Sequence, residues 1–93
     1  MSEPEVRLTA LIRGRVQGVG FRWWTRSRAL ELGLTGYVAN RLDGRVLVVA
    51  QGSRDTCQQL LDLLRSGDTP GRVDAVDVEW SEQVEDIPGF SAR

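Results

Sequence analysis

Thr35-Gly36-Tyr37-Val38-Ala39-Asn40-Arg41-Leu42-Asp43-Gly44-Arg45-Val46-Leu47-Val48-Val49-Ala50-Gln51 reads as two strands and the turn between them. In the first, Thr35 to Leu42, Tyr37 and Ala39 fall on one parity and Val38 and Asn40 on the other. The second, Arg45 to Gln51, contains the apolar run Val46-Leu47-Val48-Val49, rich in β-formers. Leu42-Asp43-Gly44 joins them, because Asp-Gly accepts the left-handed dihedrals that a tight hairpin needs. A hairpin at mid-chain, with a helical segment on either side, decides the topology.

Upstream, Val6, Leu8, Ala10 and Ile12 share one parity and Arg7, Thr9 and Arg13 the other, so Val6 to Ile12 is expected to be a strand with one buried face. Residues from Phe21 or Arg22 to Leu32 have helical content and stop at Gly33, a good residue to end a helix. Two stripes compete for its buried face: Trp23, Ser27, Leu30 and Leu34, or Trp24, Arg28 and Leu32. Downstream, Ser53 is placed to cap a second helix whose apolar residues Cys57, Leu60, Leu61 and Leu64 recur at i, i+3, i+4 and i+7. That helix ends at Gly67, and Asp68-Thr69-Pro70-Gly71 is loop. Val76, Val78 and Trp80 then alternate with Asp77 and Glu79 as a fourth strand, with a parity shift at Val73-Asp74-Ala75 that marks a bulge.

The order strand, helix, strand, strand, helix, strand is that of an α+β, ferredoxin-like βαββαβ sandwich. Its sheet has four antiparallel strands with two helices on one face, and Phe90 to Arg93 is available as a short fifth strand. The first helix returns the chain so that strand two runs parallel to strand one, and the hairpin inserts strand three between them. Asn40, near the end of strand two, is thereby expected level with the segment after strand one, roughly 10 Å across the sheet.

Ninety-three residues suit one domain, expected over residues 6–93 after a loose tail at residues 1–5. The only cysteine, Cys57, has no internal disulfide partner, and the chain opens on no signal-like segment, so a cytoplasmic setting is expected. No apolar run is long enough to span a membrane, and a monomer is the default for a chain with no obvious second apolar face. The net charge of −1 hides an asymmetry: residues 1–47 hold 8 Arg and 4 acids, residues 48–93 hold 4 Arg and 9 acids. Arg13, Arg15, Arg22, Arg26 and Arg28 flank or follow one glycine-rich segment, which suits a small anion more than a long polyanion such as a nucleic acid.

That segment is Gly14-Arg15-Val16-Gln17-Gly18-Val19-Gly20-Phe21-Arg22. Its glycines admit the positive φ values that let successive N–H groups converge on an anion, and a helix start adds unpaired donors. Arg22 adds a planar fork for two phosphate oxygens. The plainer reading is a turn followed by a solvated arginine. No lysine follows the glycines as in a Walker loop, and the third glycine of the dinucleotide fingerprint is missing.

The chain has no histidine, Cys57 sits on an apolar helical stripe, and no carboxylates cluster at metal-ligand spacing near the loop. A phosphate site so equipped can still catalyse when the leaving group is good. In an acyl phosphate a carboxylate departs without protonation, and the loose transition state chiefly needs charge stabilisation. An uncharged amide such as that of Asn40 can orient a water for attack, and an oxygen of the substrate phosphate can take its proton.

The glycine segment, residues 14–22, resembles the first signature of the acylphosphatases, and Gly36-Tyr37-Val38-Ala39-Asn40-Arg41-Leu42-Asp43-Gly44-Arg45-Val46 resembles the second. The similarity runs from Val6 through Gln51-Gly52, the second helix and the Val76 to Trp80 strand. It implies a small, metal-independent hydrolase of acyl phosphates with no cofactor. It also implies that phosphate is held by the segment Arg15, Val16, Gln17, Gly18, Val19, Gly20, Phe21 and Arg22, and that Arg22 and Asn40 are catalytic, Asn40 orienting the water. Ala92 departs from the pattern, standing where a bulkier apolar residue is usual. Trp23-Trp24 has two readings, ordinary packing, which is favoured, or a wall for the acyl group. A non-catalytic module that binds a small anion on the same fold is the alternative. An RNA-recognition module shares the element order but requires aromatic residues on strands one and three, and these have none.

Overall fold

The computed structural model describes residues 4–93. Residues 1–3 of the expected tail lie outside the described residues, and Glu5 is already paired with Ser53 in the sheet. In chain order the elements are β1 (Glu5–Arg15), α1 (Phe21–Glu31), β2 (Thr35–Asn40), β3 (Val46–Ser53), α2 (Arg54–Leu64), β4 (Arg72–Ser81) and β5 (Phe90–Ala92). The sheet order is β4-β1-β3-β2-β5. β1 to β4 pair antiparallel, whereas β5 lies parallel to β2, so the fifth strand makes the sheet mixed.

Alternation in β1 sorts its side chains as the sequence predicts: Val6, Leu8, Ala10 and Ile12 are buried under the helices. They join Val38, Val46, Val48 and Ala50 of the neighbouring strands and Cys57, Leu60, Leu61 and Leu64 of α2 in one core. The Ser53 hydroxyl caps α2, accepting the Thr56 N–H at 3.2 Å. In β4 the predicted bulge is present, since Arg13 faces Ala75 and Gly14 faces Val73, leaving Asp74 as the extra residue.

Neither stripe expected for α1 is its buried face. The buried residues are Phe21, Thr25 and Ala29, at i, i+4 and i+8, with a threonine in the middle that weakens the apolar pattern. Trp23 is 61% exposed and Leu30 is exposed with it, while Trp24 and Leu32 pack against the rim of the core. The Trp24 ring meets that of Phe21 at 6.0 Å. Strand two also ends earlier than expected, at Asn40 rather than Leu42. Arg41 N–H donates to the Arg45 carbonyl at 2.8 Å and Gly44 N–H to the Arg41 carbonyl at 3.2 Å, closing a three-residue loop.

A second apolar face, not foreseen in the sequence, is present on the open side of the sheet. Register places Leu11, Leu47, Val49 and Tyr37 there, opposite in parity to the core residues. The segment between β4 and β5 crosses its far end. The Gln51 amide donates to the Glu85 carbonyl at 2.7 Å and accepts the Glu85 N–H at 2.8 Å, and Arg7 pairs with the Glu85 carboxylate at 3.4 Å.

Two expectations follow from packing. Gly36 has φ 143°, and a Cβ there would lie 1.9 Å from the Val49 carbonyl oxygen. Gly36→Ala is therefore expected to cost about 3 kcal/mol in urea unfolding. Gly33→Ala, with φ 73° but open space around it, is expected to cost about 1 kcal/mol. Burial pushes the Cys57 thiol up from 9.0 to about 11, with the charge of Glu5 adding to the effect. An unfolded chain ionises this thiol first. Its contribution is thus intact below about pH 9 and is lost as the pH climbs towards 11. Cys57→Ala is expected to flatten the alkaline fall in stability, and in the parent protein iodoacetamide labelling at neutral pH is expected to track unfolding.

Candidate active site

The segment joining β1 to α1 is pinned at both ends by buried side chains. Val16 and Phe21 are each 1% exposed, whereas Gly18, Val19 and Gly20 between them face solvent. Gly18 and Gly20 have φ of 73° and 84°, and no residue other than glycine has positive φ among the described residues. Positive φ at both glycines is the backbone freedom that a tight loop facing solvent requires.

The start of α1 leaves its first N–H groups unspent. Gly20 is its N-cap and has no side chain with which to cap, the first turn holds no acid, and the first helical hydrogen bond runs from Trp24 N–H to the Gly20 carbonyl at 3.0 Å. The N–H groups of Phe21, Arg22 and Trp23 precede that bond and have no partner within the helix. The positive end of the helix dipole is superimposed on them.

Asn40 reaches the same end of the sheet through register. Ile12 of β1 faces Val46 of β3, and Val46 faces Asn40 of β2. Asn40 is exposed beyond the last core pair of β2 and, with Arg41, Leu42 and Asp43, lines an open depression of about 380 Å³. The loop and this corner are tied together by Gln17. Its Nε2 donates to the Arg41 carbonyl at 2.8 Å and to the Arg45 carbonyl at 3.0 Å, bridging the two ends of the hairpin loop.

Arg22 joins them from above. Its Nη1 donates to the Arg93 main-chain oxygen at 2.6 Å, and Arg93 N–H in turn donates to the Val38 carbonyl at 2.7 Å. Since Val38 faces Ala92, Arg93 continues β5 alongside the residues next to Asn40. The guanidinium of Arg93 stacks on the Tyr37 ring at 3.9 Å, which holds that corner against the open face of the sheet. One turn further along α1, Arg26 donates to the Phe90 carbonyl at 3.1 Å and lies 5.6 Å from the Trp23 ring. Of the two tryptophans, Trp23 therefore stands on the outer, β5 side of α1 and Trp24 packs inward.

Charge at the hairpin is balanced locally. Asp43 accepts from Arg45 Nε at 2.8 Å and Nη2 at 2.6 Å, and this pair, with the Arg45 N–H, holds the Asp43 carboxyl down to about 2. The same contact raises Arg45. Among the described residues no three His, Cys, Asp or Glu side chains converge as a metal-binding group, and no helix is long and apolar enough to cross a membrane.

The expected loop, Arg22 and Asn40 thus lie at one end of the sheet, linked through Gln17, the hairpin loop and Arg93. It adds two contributors that the sequence reading missed. Gln17 was expected to act through its backbone, yet its side chain is the bridge, and a long amide amid glycines is the one sequence cue to that role. Arg93 acts through its main chain, which no side-chain pattern reveals.

Comparison with known proteins gives the same picture at the level of the whole chain. A family model described as acylphosphatase matches residues 8–92. An acylphosphatase of Mycobacterium sp. (strain KMS) is 71% identical over 92 residues, 99% of this chain and 98% of its own. Among solved structures, an acylphosphatase from Coxiella burnetii superposes with a TM-score of 0.87 at 38% identity, covering 96% of this chain and 93% of that one. The acylphosphatase from Bacillus subtilis superposes with a TM-score of 0.90 at 31% identity, covering 95% and 98%. Sequence identity, matching length and a shared fold together make this chain a member of the acylphosphatase family, hydrolases that act on acyl phosphates.

Proposed function

We propose that the protein hydrolyses the carboxyl–phosphate bond of acyl phosphates by positioning and charge stabilisation alone, with the loop amides and Arg22 on the phosphoryl group and Asn40 on the water. What supports this reading is that the glycine-rich segment, free N–H groups at a helix start, a guanidinium and an uncharged amide all belong to one end of the sheet. Nothing in the mechanism needs a side chain to titrate. Water attacks phosphorus, the P–O bond to the acyl group breaks, and its electron pair leaves on the carboxylate. The proton of the water passes to a phosphoryl oxygen, giving inorganic phosphate.

Each residue has a distinct part. Amides of the segment from Arg15 to Phe21 aim at the equatorial oxygens, where negative charge is spread in a loose transition state. Arg22 presents a fork to two of those oxygens, and its hydrogen bond to Arg93 holds the side chain near that position before substrate arrives. Asn40 accepts from the water through its carbonyl and donates through its amide, which fixes the line of attack without removing a proton in advance. No metal or cofactor is required by these steps. The lone cysteine fits a reducing, cytoplasmic setting, and the working unit in this reading is a monomer acting on a small molecule.

The test is hydrolysis of benzoyl phosphate with and without EDTA. Activity is expected to survive EDTA unchanged. Arg22→Lys keeps a charge but loses the fork and is expected to lower kcat at least 100-fold, in line with the loss of a transition-state contact worth about 3 kcal/mol. Asn40→Ala is expected to lower kcat at least as much while inorganic phosphate still inhibits at the parent concentration. Circular dichroism checks that both variants fold. Full activity in Arg22→Lys overturns the fork, and a parent protein that binds phosphate without turnover identifies a non-catalytic anion-binding module instead.

A further inference from the structure

The side chain of Gln17 leaves the glycine-rich segment and directs its amide N–H donors to the hairpin between β2 and β3. Its Nε2 reaches the Arg41 carbonyl at 2.8 Å and the Arg45 carbonyl at 3.0 Å. Each of those carbonyls already accepts a bond within the loop, from Gly44 N–H and from Arg41 N–H, so Gln17 takes a second lone pair on both. Few side chains can do this. A hydroxyl has one donor, an ionised carboxylate has none, and lysine or arginine would bring a charge, whereas a primary amide bridges two carbonyls and stays neutral. Asn40 is the last paired residue of β2, opposite Val46, and residues 41–44 beyond it are exposed. The bridge therefore closes on the two residues that adjoin the last rung of the hairpin, Arg41 after Asn40 and Arg45 before Val46.

The segment from Arg15 to Phe21 is held by other means. Val16 and Phe21 are buried, and the Gly71 backbone comes so close to this segment that a Cβ there would lie 2.0 Å from the Arg15 carbonyl oxygen and 2.8 Å from the Val19 side chain. Losing the Gln17 bonds thus loosens the end of the hairpin more than the segment itself. Building on the acyl phosphate reading above, we propose that Gln17 is a positioning residue: its side chain fixes Asn40 relative to the phosphate-holding segment and acts on turnover through Asn40, not through the phosphate. In that reading the water and the phosphoryl group are held by different stretches of chain, and displacing one from the other by roughly 1 Å can cost about 100-fold in rate. Strand register fixes the backbone row, but Asn40 sits at its last rung, where a ladder opens first. Gln17 is a direct tie between the two stretches at that point.

The experiment measures kcat and KM for benzoyl phosphate, and inhibition by inorganic phosphate, in the parent protein, Gln17→Met, Asn40→Ala and the double variant. Methionine matches the length of glutamine without a donor. Gln17→Met is expected to lower kcat about ten-fold, inside the range that a small misplacement can cost, while phosphate inhibits within about two-fold of its parent concentration. In the Asn40→Ala background the same substitution is expected to change kcat less than about two-fold, because the group it positions is already gone. Gln17→Asn keeps an amide on a side chain one methylene shorter, and it carries the same comparison if circular dichroism shows Gln17→Met unfolded. An equal loss of kcat in both backgrounds, or a parental kcat in the Gln17 variant, overturns the proposal. Phosphate inhibition weakened as much as kcat/KM also overturns it and assigns the Gln17 side chain to holding the phosphate. A parent protein that does not hydrolyse benzoyl phosphate, or an Asn40→Ala variant with full activity, overturns the acyl phosphate reading instead.

Discussion

Register across β1, β3 and β2 is the constraint on which the rest of the molecule depends. Ile12, Val46 and Asn40 lie in one row, so the end of β1, where the glycine-rich segment begins, and the end of β2, where Asn40 emerges, share an edge. A slip of one residue in either pairing would turn Val38 and Val48 out of the core and invert Asn40 to the other face. Three features hold the row. Gly36 lets β2 approach the Val49 carbonyl more closely than any side chain would allow, the three-residue loop closes on the Arg41 and Arg45 pair, and Gln17 clamps both carbonyls of that pair to the loop above.

The site resting on that row is built from groups that do not compete with their own neighbours. A helix start capped by serine or aspartate spends its first N–H groups on the cap, as Ser53 does for α2. Gly20 caps α1 with no side chain at all, so no side-chain oxygen takes up the first N–H groups, at a cost of only about 0.3 kcal/mol relative to a capping residue. The same logic applies to charge. Asp43 is the carboxylate at the hairpin, and Arg45 neutralises it within the loop. Local turn geometry and local ion pairing thus leave a positive site at one end of a chain whose net charge is −1.

Much of this was legible because the deciding signals are local. The Ser53 cap, the Cys57 to Leu64 stripe and the parity shift at Asp74 each follow from a few adjacent residues and are present as read, and the hairpin is present with Gly44, though not Asp43, left-handed. The face of α1 was not legible, because Thr25 sits in the middle of the buried stripe while Trp23 and Leu30, which dominate any apolar pattern, point outwards. The second apolar face was missed for a related reason. Leu11, Leu47 and Val49 alternate with core residues in strands flanked on both sides, and only the strand order reveals that they share a surface. Arg22 and Asn40 were singled out by residue type, but the contacts around them were not. Their supports are a main-chain oxygen at Arg93 and two carbonyls at the hairpin, and carbonyls carry no sequence signature.

The role of β5 shows how a minor element becomes consequential. Three residues paired in parallel to β2 add little to the sheet, and Ala92 fills its core-facing position with a small side chain. Yet Arg26 and Arg22, one helical turn apart on α1, each donate to a main-chain oxygen of this terminal segment, at Phe90 and at Arg93. These bonds occupy acceptors along a short edge strand, which otherwise invites pairing with another chain. They also fix the rotation of α1 over β2, because two donors spaced at i and i+4 meet acceptors three residues apart in an extended strand, an alignment that only one helix orientation satisfies. With that rotation fixed, the first turn of α1 and the Arg22 side chain are held against the terminal segment that runs beside β2.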